Sequence, residues 1–134
     1  MLVENTVELS MAAEIPMPVY GNLHNVRTAF NLTYKNLEIG ILTFYKDNWV
    51  FQYSHSFINQ NTIKPIAGFP NIYKVYLSSS LFPFFDFRIP SLKRPEIQDI
   101  IKKEKIDATN KAELLKYFGK KTITNPYILT AIES

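Results

Sequence analysis

Between Phe30 and Tyr53 three runs of residues alternate with a period of two, and they are separated by connections too short for anything but a reversal of direction. Phe30, Leu32 and Tyr34 share one face of the first run, and Leu37, Ile39 and Ile41 follow directly after Lys35 and Asn36. Beyond a turn at Lys46, Asp47 and Asn48, the third run sets Trp49, Phe51 and Tyr53 on one face. A parallel pair of strands needs a crossover of about a dozen residues, so connections this short permit only antiparallel neighbours. The first half of the chain is therefore expected to be an antiparallel meander with Trp49, Phe51 and Tyr53 in its core.

The remainder changes period. Pro65, Gly68 and Pro70 break any long element between residues 54 and 77, with a short strand expected at Ile72 to Leu77. Ser78 or Ser79 is placed to cap a short helix through Leu81 to Phe87, with Pro83 in its first turn, where a missing N–H is tolerated. Pro95 starts the next helix, in which Ile97, Ile100 and Ile101 fall on one face. Asn110 and Glu113 have capping-box spacing ahead of Leu114, Leu115 and Phe118, and Gly119 suits the left-handed position that ends a helix. Pro126 leads into a closing strand over Tyr127 to Ile132. The fold class is α+β: an antiparallel meander, open or partly closed into a small barrel, with about three short helices and a C-terminal strand.

The 134 residues suit a single domain, and 46% hydrophobic content supplies a core without cross-links. Residues 1 to 24 show no sustained period and are expected to form an N-terminal extension, either a mobile lead-in or a partner-bound tail, ahead of a domain over 25–134. Met11 and Met17 are alternative starts. No segment has the roughly 18 to 20 apolar residues of a membrane span, and Glu4, Glu8 and Glu14 stand where a signal peptide carries basic residues. With no cysteine in the chain, a cytoplasmic location is expected.

Chemical motifs are scarce. Two histidines, His24 and His55, and no cysteine give no recognisable metal-ligand spacing. Ser78, Ser79 and Ser80 lack a nucleophile elbow and a neighbouring base. Four glycines (Gly21, Gly40, Gly68, Gly119) stand too far apart to cradle a phosphate. No catalytic residue, metal or cofactor is assigned, and the chain is not expected to be an enzyme. Residues 88 to 121 hold ten basic and five acidic side chains and carry the whole positive excess of a chain whose net charge is +3. That stretch suits an acidic partner or a phosphate backbone, and equally a solvated helical face. Tyr73, Lys74 and Tyr76 have the makings of a base-stacking surface, although rings at strand spacing are more readily read as half-buried core.

The densest feature is LFPFFDFRIP, residues 81 to 90. A short helix turns about 100° per residue and cannot press all of these rings against one sheet. Part of the cluster should remain as an apolar surface of the kind that meets a partner, the alternative being a loop folded under itself.

These residues resemble the N-terminal module of the HipA-type serine/threonine kinase toxins. The likeness rests on IGIL (39 to 42), VFQYSHSFI (50 to 58), KPIAGFP (64 to 70) and above all SSSLFPFFDFRIP (78 to 90), with two helices and a last strand in family order over residues 28 to 132. The chain ends where the kinase core of the family would begin, and it holds no catalytic-loop Asp or ATP-anchoring Lys motif. A freestanding module of this kind resembles the HipS-type antitoxins of three-component HipBST systems, in which the kinase HipT and the DNA-binding HipB are separate chains. The resemblance implies an antitoxin that binds a HipT-like kinase and suppresses it, within a larger complex that includes a HipB-like protein. The partner-binding residues expected are Phe82, Phe84, Phe85, Phe87 and Ile89 as apolar anchors, with Arg88, Lys93 and Arg94 projecting toward the kinase. The competing expectation is a small basic nucleic-acid-binding domain using residues 88 to 121, or a structural subunit that helps a HipB-like repressor bind DNA.

Overall fold

The computed structural model describes residues 28–132, so the expectations for the N-terminal extension and His24 lie outside the described residues. Strands β1 (Thr28–Tyr34), β2 (Leu37–Tyr45) and β3 (Asn48–Tyr53) form the meander, and each connection is a two-residue turn. Both turns need positive φ: Lys35 sits at 54°, Lys46 at 51° and Asp47 at 64°. The last two suit the mirror-image turn whose twist matches that of the flanking strands. Next come α1 (His55–Ile58), β4 (Tyr76–Ser78), α2 (Pro83–Asp86), α3 (Pro95–Glu104), α4 (Lys111–Phe118) and β5 (Ile128–Ile132). The five strands pair antiparallel in the order β4-β3-β2-β1-β5, an α+β arrangement in which the sheet stays open with β4 and β5 at its edges.

One face of the sheet carries the core. Phe30, Leu32, Leu42, Trp49, Phe51 and Tyr53 are buried there against Phe57 of α1, Ile66 and Phe69 of the loop, Phe85 of α2, and Ala112 and Leu115 of α4. The alternation foreseen for β2 breaks midway. Leu32 pairs with Gly40 but Thr33 pairs with Glu38, so Ile39 is an extra residue on β2. A bulge of this kind brings two consecutive residues to the same side. Ile39 and Gly40 are both buried, whereas Ile41, expected on the face of Leu37 and Ile39, pairs with Gln52 and is only half-buried.

The helices follow their local signals in part. Pro95 opens α3, and the Asn110 side chain accepts from the Glu113 N–H at the start of α4. Glu113 does not close the box. Its carboxylate accepts from the Asp107 N–H instead. Gly119 has φ of −92°, so it is not in the left-handed position. Its need is space, because a Cβ there would lie 2.5 Å from the Leu115 carbonyl oxygen. The left-handed residue is Lys105, after α3. Neither Ser78 nor Ser79 caps α2, whose N-cap is Phe82 with no side-chain bond. Helix α1 is an addition to the three expected: Ser54 accepts from the Phe57 N–H, and its hydroxyl donates to the Glu38 carbonyl. One turn of helix is too short for a period to register in sequence.

The irregular stretch after α1 is held by side chains. The Tyr53 hydroxyl donates to the Phe69 carbonyl at 2.7 Å and accepts from the Ile66 N–H at 2.9 Å. The Gln60 side chain bonds the backbone of Phe57, Thr62 and Ile63. Burial pushes the Tyr53 phenol up from 10.0 to about 12. A folded-state value above the unfolded one means that the stability it supplies is complete below pH 10 and is lost as pH rises from 10 to 12. Tyr53→Phe is therefore expected to lower stability at neutral pH by about 1–2 kcal/mol, since a buried carbonyl and N–H lose their partner. It should also flatten the alkaline limb of a stability-against-pH curve measured by urea unfolding, and an unchanged limb would contradict this assignment.

Candidate docking surface

The Phe-rich segment is sorted by a single helical turn. Pro83 occupies the first position of α2, which points Phe85 into the core with no exposed surface. Its ring lies 5.6 Å from Phe51, 6.1 Å from Phe69 and 5.1 Å from Phe84. Phe82 and Phe84 are half-buried, and both meet Phe69 edge-on. Phe84 also meets Tyr127, at the base of β5. Ile89 is half-buried against the same core. Phe87 turns the other way and is 77% exposed. The expected surplus of apolar surface thus reduces, among the rings of this segment, chiefly to Phe87.

Arg88 corrects a second expectation. It follows Phe85 by three residues and so shares its inward face, and it is only 4% exposed. One terminal nitrogen, Nη1, donates to the carbonyls of Gly119 at 2.8 Å and Lys120 at 3.1 Å. The other, Nη2, donates to Asn125 Oδ1 at 3.1 Å and the Tyr127 carbonyl at 2.9 Å. Arg88 is therefore a clamp that holds the strap between α4 and β5, and it does not project outward. All four acceptors are neutral, and its Nε is buried without a partner. Burial pulls the guanidinium down from 12.5 to about 10, which leaves it charged at neutral pH. Two signals in the sequence pointed here: the i, i+3 spacing from Phe85, and a turn-rich strap whose carbonyls need a donor.

Lys93 and Arg94 are exposed beyond this turn, and Arg94 pairs with Glu96. The Glu96 carboxyl is held below its usual range by its own backbone N–H and by Arg94. Phe87, Lys93 and Arg94 are thus the predicted site residues that face solvent, while Phe82, Phe84, Phe85, Arg88 and Ile89 build the support beneath. Tyr73, expected to be half-buried, is 77% exposed because it precedes β4 in a turn outside the sheet.

An open cleft of about 700 Å³ that includes Leu81 and Asp86 of the Phe-rich segment is lined also by Phe44, Asp47, Trp49 and Asp107. Asp86 is occupied by Lys111 at 2.6 Å, and Asp107 by Thr109. His55 does not line this cleft. It lies beside a smaller cleft of about 410 Å³, with Ser54 and Ser56. Among the described residues no group of three His, Asp or Glu side chains is placed to hold a metal ion, and no helix is long and apolar enough to cross a membrane.

An open antiparallel sheet with helices on one face and a ring-packed one-turn helix beneath an exposed Phe defines a small α+β module. The profile of the HipA N-terminal domain matches residues 30–124, and the chain belongs to that family. That domain is a non-catalytic subdomain. No curated protein sequence matches the chain.

Proposed function

We propose that this chain is an antitoxin that binds a separate HipT-like serine/threonine kinase and suppresses its activity by direct contact, in the cytoplasm and within a complex that includes a HipB-like DNA-binding protein. Membership of the HipA N-terminal domain family carries the reading. A domain that packs on a kinase core keeps an apolar docking face when it acts as a separate chain, and Phe87 offers such an anchor, with the exposed Lys93 and Arg94 a few residues further along the chain. Phe82, Phe84 and Phe85 contribute by fixing the turn that presents Phe87.

Co-expression with a HipA-like kinase encoded beside it, followed by affinity capture and growth rescue, tests the proposal. The expected result is co-purification with restored growth. Phe87→Asp should weaken capture at least tenfold, because burying a carboxylate at an apolar anchor is costly, while an exposed position leaves the fold intact. No complex and no rescue with the unaltered chain would refute the antitoxin role.

A nucleic-acid-binding role is favoured by one observation. Lys102, Lys103, Lys105, Lys116, Lys120 and Lys121 are exposed, and none has a carboxylate within ion-pair distance among the described residues. Binding of DNA by the isolated protein with a steep salt dependence would support it, and binding that is absent at low salt would exclude it.

A further inference from the structure

We infer that the docking surface for the kinase extends from Phe87 across the strap that Arg88 clamps, where Tyr117 and Ile123 form apolar anchors and Lys116, Lys120 and Lys121 form a basic rim, and that this surface receives an acidic protein face. The inference rests on the antitoxin reading and names the surface and charge by which it would operate.

Three observations converge on the strap. The first is exposure: Phe87 is 77% exposed, Tyr117 49% and Ile123 fully so, which makes them three of the large apolar side chains the fold leaves uncovered. Each lies within a few residues of a group that Arg88 bonds, or of Arg88 itself. Phe87 adjoins Arg88, Tyr117 lies two residues before Gly119, and Ile123 lies between Lys120 and Asn125, with Gly119, Lys120 and Asn125 all bonded by the Arg88 guanidinium. Consecutive Cα atoms are about 3.8 Å apart, so each of the three backbones stays within a few residues' reach of the same buried group.

The second observation is charge. From Leu114 to Ile132 the chain has three lysines and no carboxylate. Lys116, Lys120 and Lys121 are exposed, and none forms an ion pair among the described residues. Elsewhere in the C-terminal half Arg94 pairs with Glu96 and Lys111 with Asp86, and Lys102, Lys103 and Lys105, though they form no ion pair among the described residues, share their stretch with Asp99 and Glu104.

The third is the clamp itself. Arg88 is a buried cation whose four acceptors are all neutral and whose Nε has none. A buried charge without a counter-ion is stabilised by any carboxylate brought near it, because screening is weak away from water. An acidic partner face over the strap would supply that charge together with partners for the lysines, and the apolar trio would supply the desolvated anchors that dominate most interfaces.

Isothermal titration of the purified chain with the HipA-like kinase, at about 50 and 300 mM salt, tests this. Lys120→Glu with Lys121→Glu should weaken binding at least about thirtyfold at low salt and much less at high salt. Ile123→Asp should weaken it at least about tenfold at both. Both sites are exposed, so a circular dichroism spectrum and melting midpoint matching the parent chain are expected, and Ile123→Ala provides a milder substitution for the same arm. Lys102→Glu with Lys103→Glu on α3 should change binding less than about threefold. If the parent chain binds and the strap variants bind equally well, or the α3 variant is equally impaired, this surface is wrong while the antitoxin role stands. If the parent chain does not bind, both fall.

Discussion

Replacing Arg88 by methionine is expected to lower the unfolding free energy by about 3 kcal/mol. The methionine stem fills most of the volume but leaves the carbonyls of Gly119 and Tyr127 without their donor and the Lys120 carbonyl with only the Leu129 N–H, and each buried acceptor left unmade costs about 1–3 kcal/mol. Against this, removing a desolvated charge returns part of the loss, which keeps the net below the simple sum. Arg88→Lys should recover less than half, since a point ammonium cannot span the two pairs of acceptors that the planar fork reaches. Urea unfolding gives the magnitude, and hydrogen exchange gives the location. The Leu129 N–H, which donates to the Lys120 carbonyl, should lose protection in Arg88→Met well before the amides of β2 and β3. If Leu129 exchanges no faster than in the parent chain, Arg88 is not what secures the strap.

Gly40→Ala is expected to be comparably damaging, at about 3 kcal/mol, for a different reason. A Cβ at Gly40 would stand 2.5 Å from the Gln52 carbonyl oxygen and 2.8 Å from the Phe51 ring. Relief requires β2 and β3 to separate at the centre of the sheet, and overpacking of a well-filled interior typically costs about 1–3 kcal/mol. Phe51 cannot retreat, being fully buried against Phe69 and Phe85. Pairing Gly40→Ala with Phe51→Leu separates the two contacts. The smaller side chain frees the ring's space but leaves the backbone oxygen in place, so the double variant should remain less stable than Phe51→Leu alone. Equal stability of those two would show that the ring alone demands glycine.

Much of this architecture was legible in the residues. The meander follows from alternation between two tight turns, α3 from Pro95 ahead of Ile97, Ile100 and Ile101, and β5 from the run after Pro126. What escaped was set by contacts distant in sequence. The extra residue at Ile39 reverses which side Ile41 faces, and alternation alone cannot reveal a bulge because both registers look regular over three residues. Gly119 stood at the right place for a helix end but for the wrong reason, since its constraint is the approach of Leu115. The Phe cluster was correctly expected to exceed what a short helix can bury, yet the rings turned out to support one another around Phe69, leaving Phe87 to solvent. Arg88 was expected to project toward a kinase with Lys93 and Arg94, and the acceptors that hold it inside lie more than thirty residues further along the chain.

The placement of β5 has a consequence for how the protein comes off the ribosome. Strand β1 lies between β2 and β5, and Thr33 meets Ile128 across a separation of 95 residues. The meander can form as soon as β1 to β3 have emerged, but the far edge of β1 then stays unpaired until Ile128 to Ile132 are made. Synthesis at about 5–20 residues per second leaves that edge, with Phe30 and Leu32 beside it, open for several seconds. During that interval a second nascent chain could pair with it. Closure by the last strand makes co-translational crowding on one messenger a hazard for this fold, and slower initiation should raise its soluble yield.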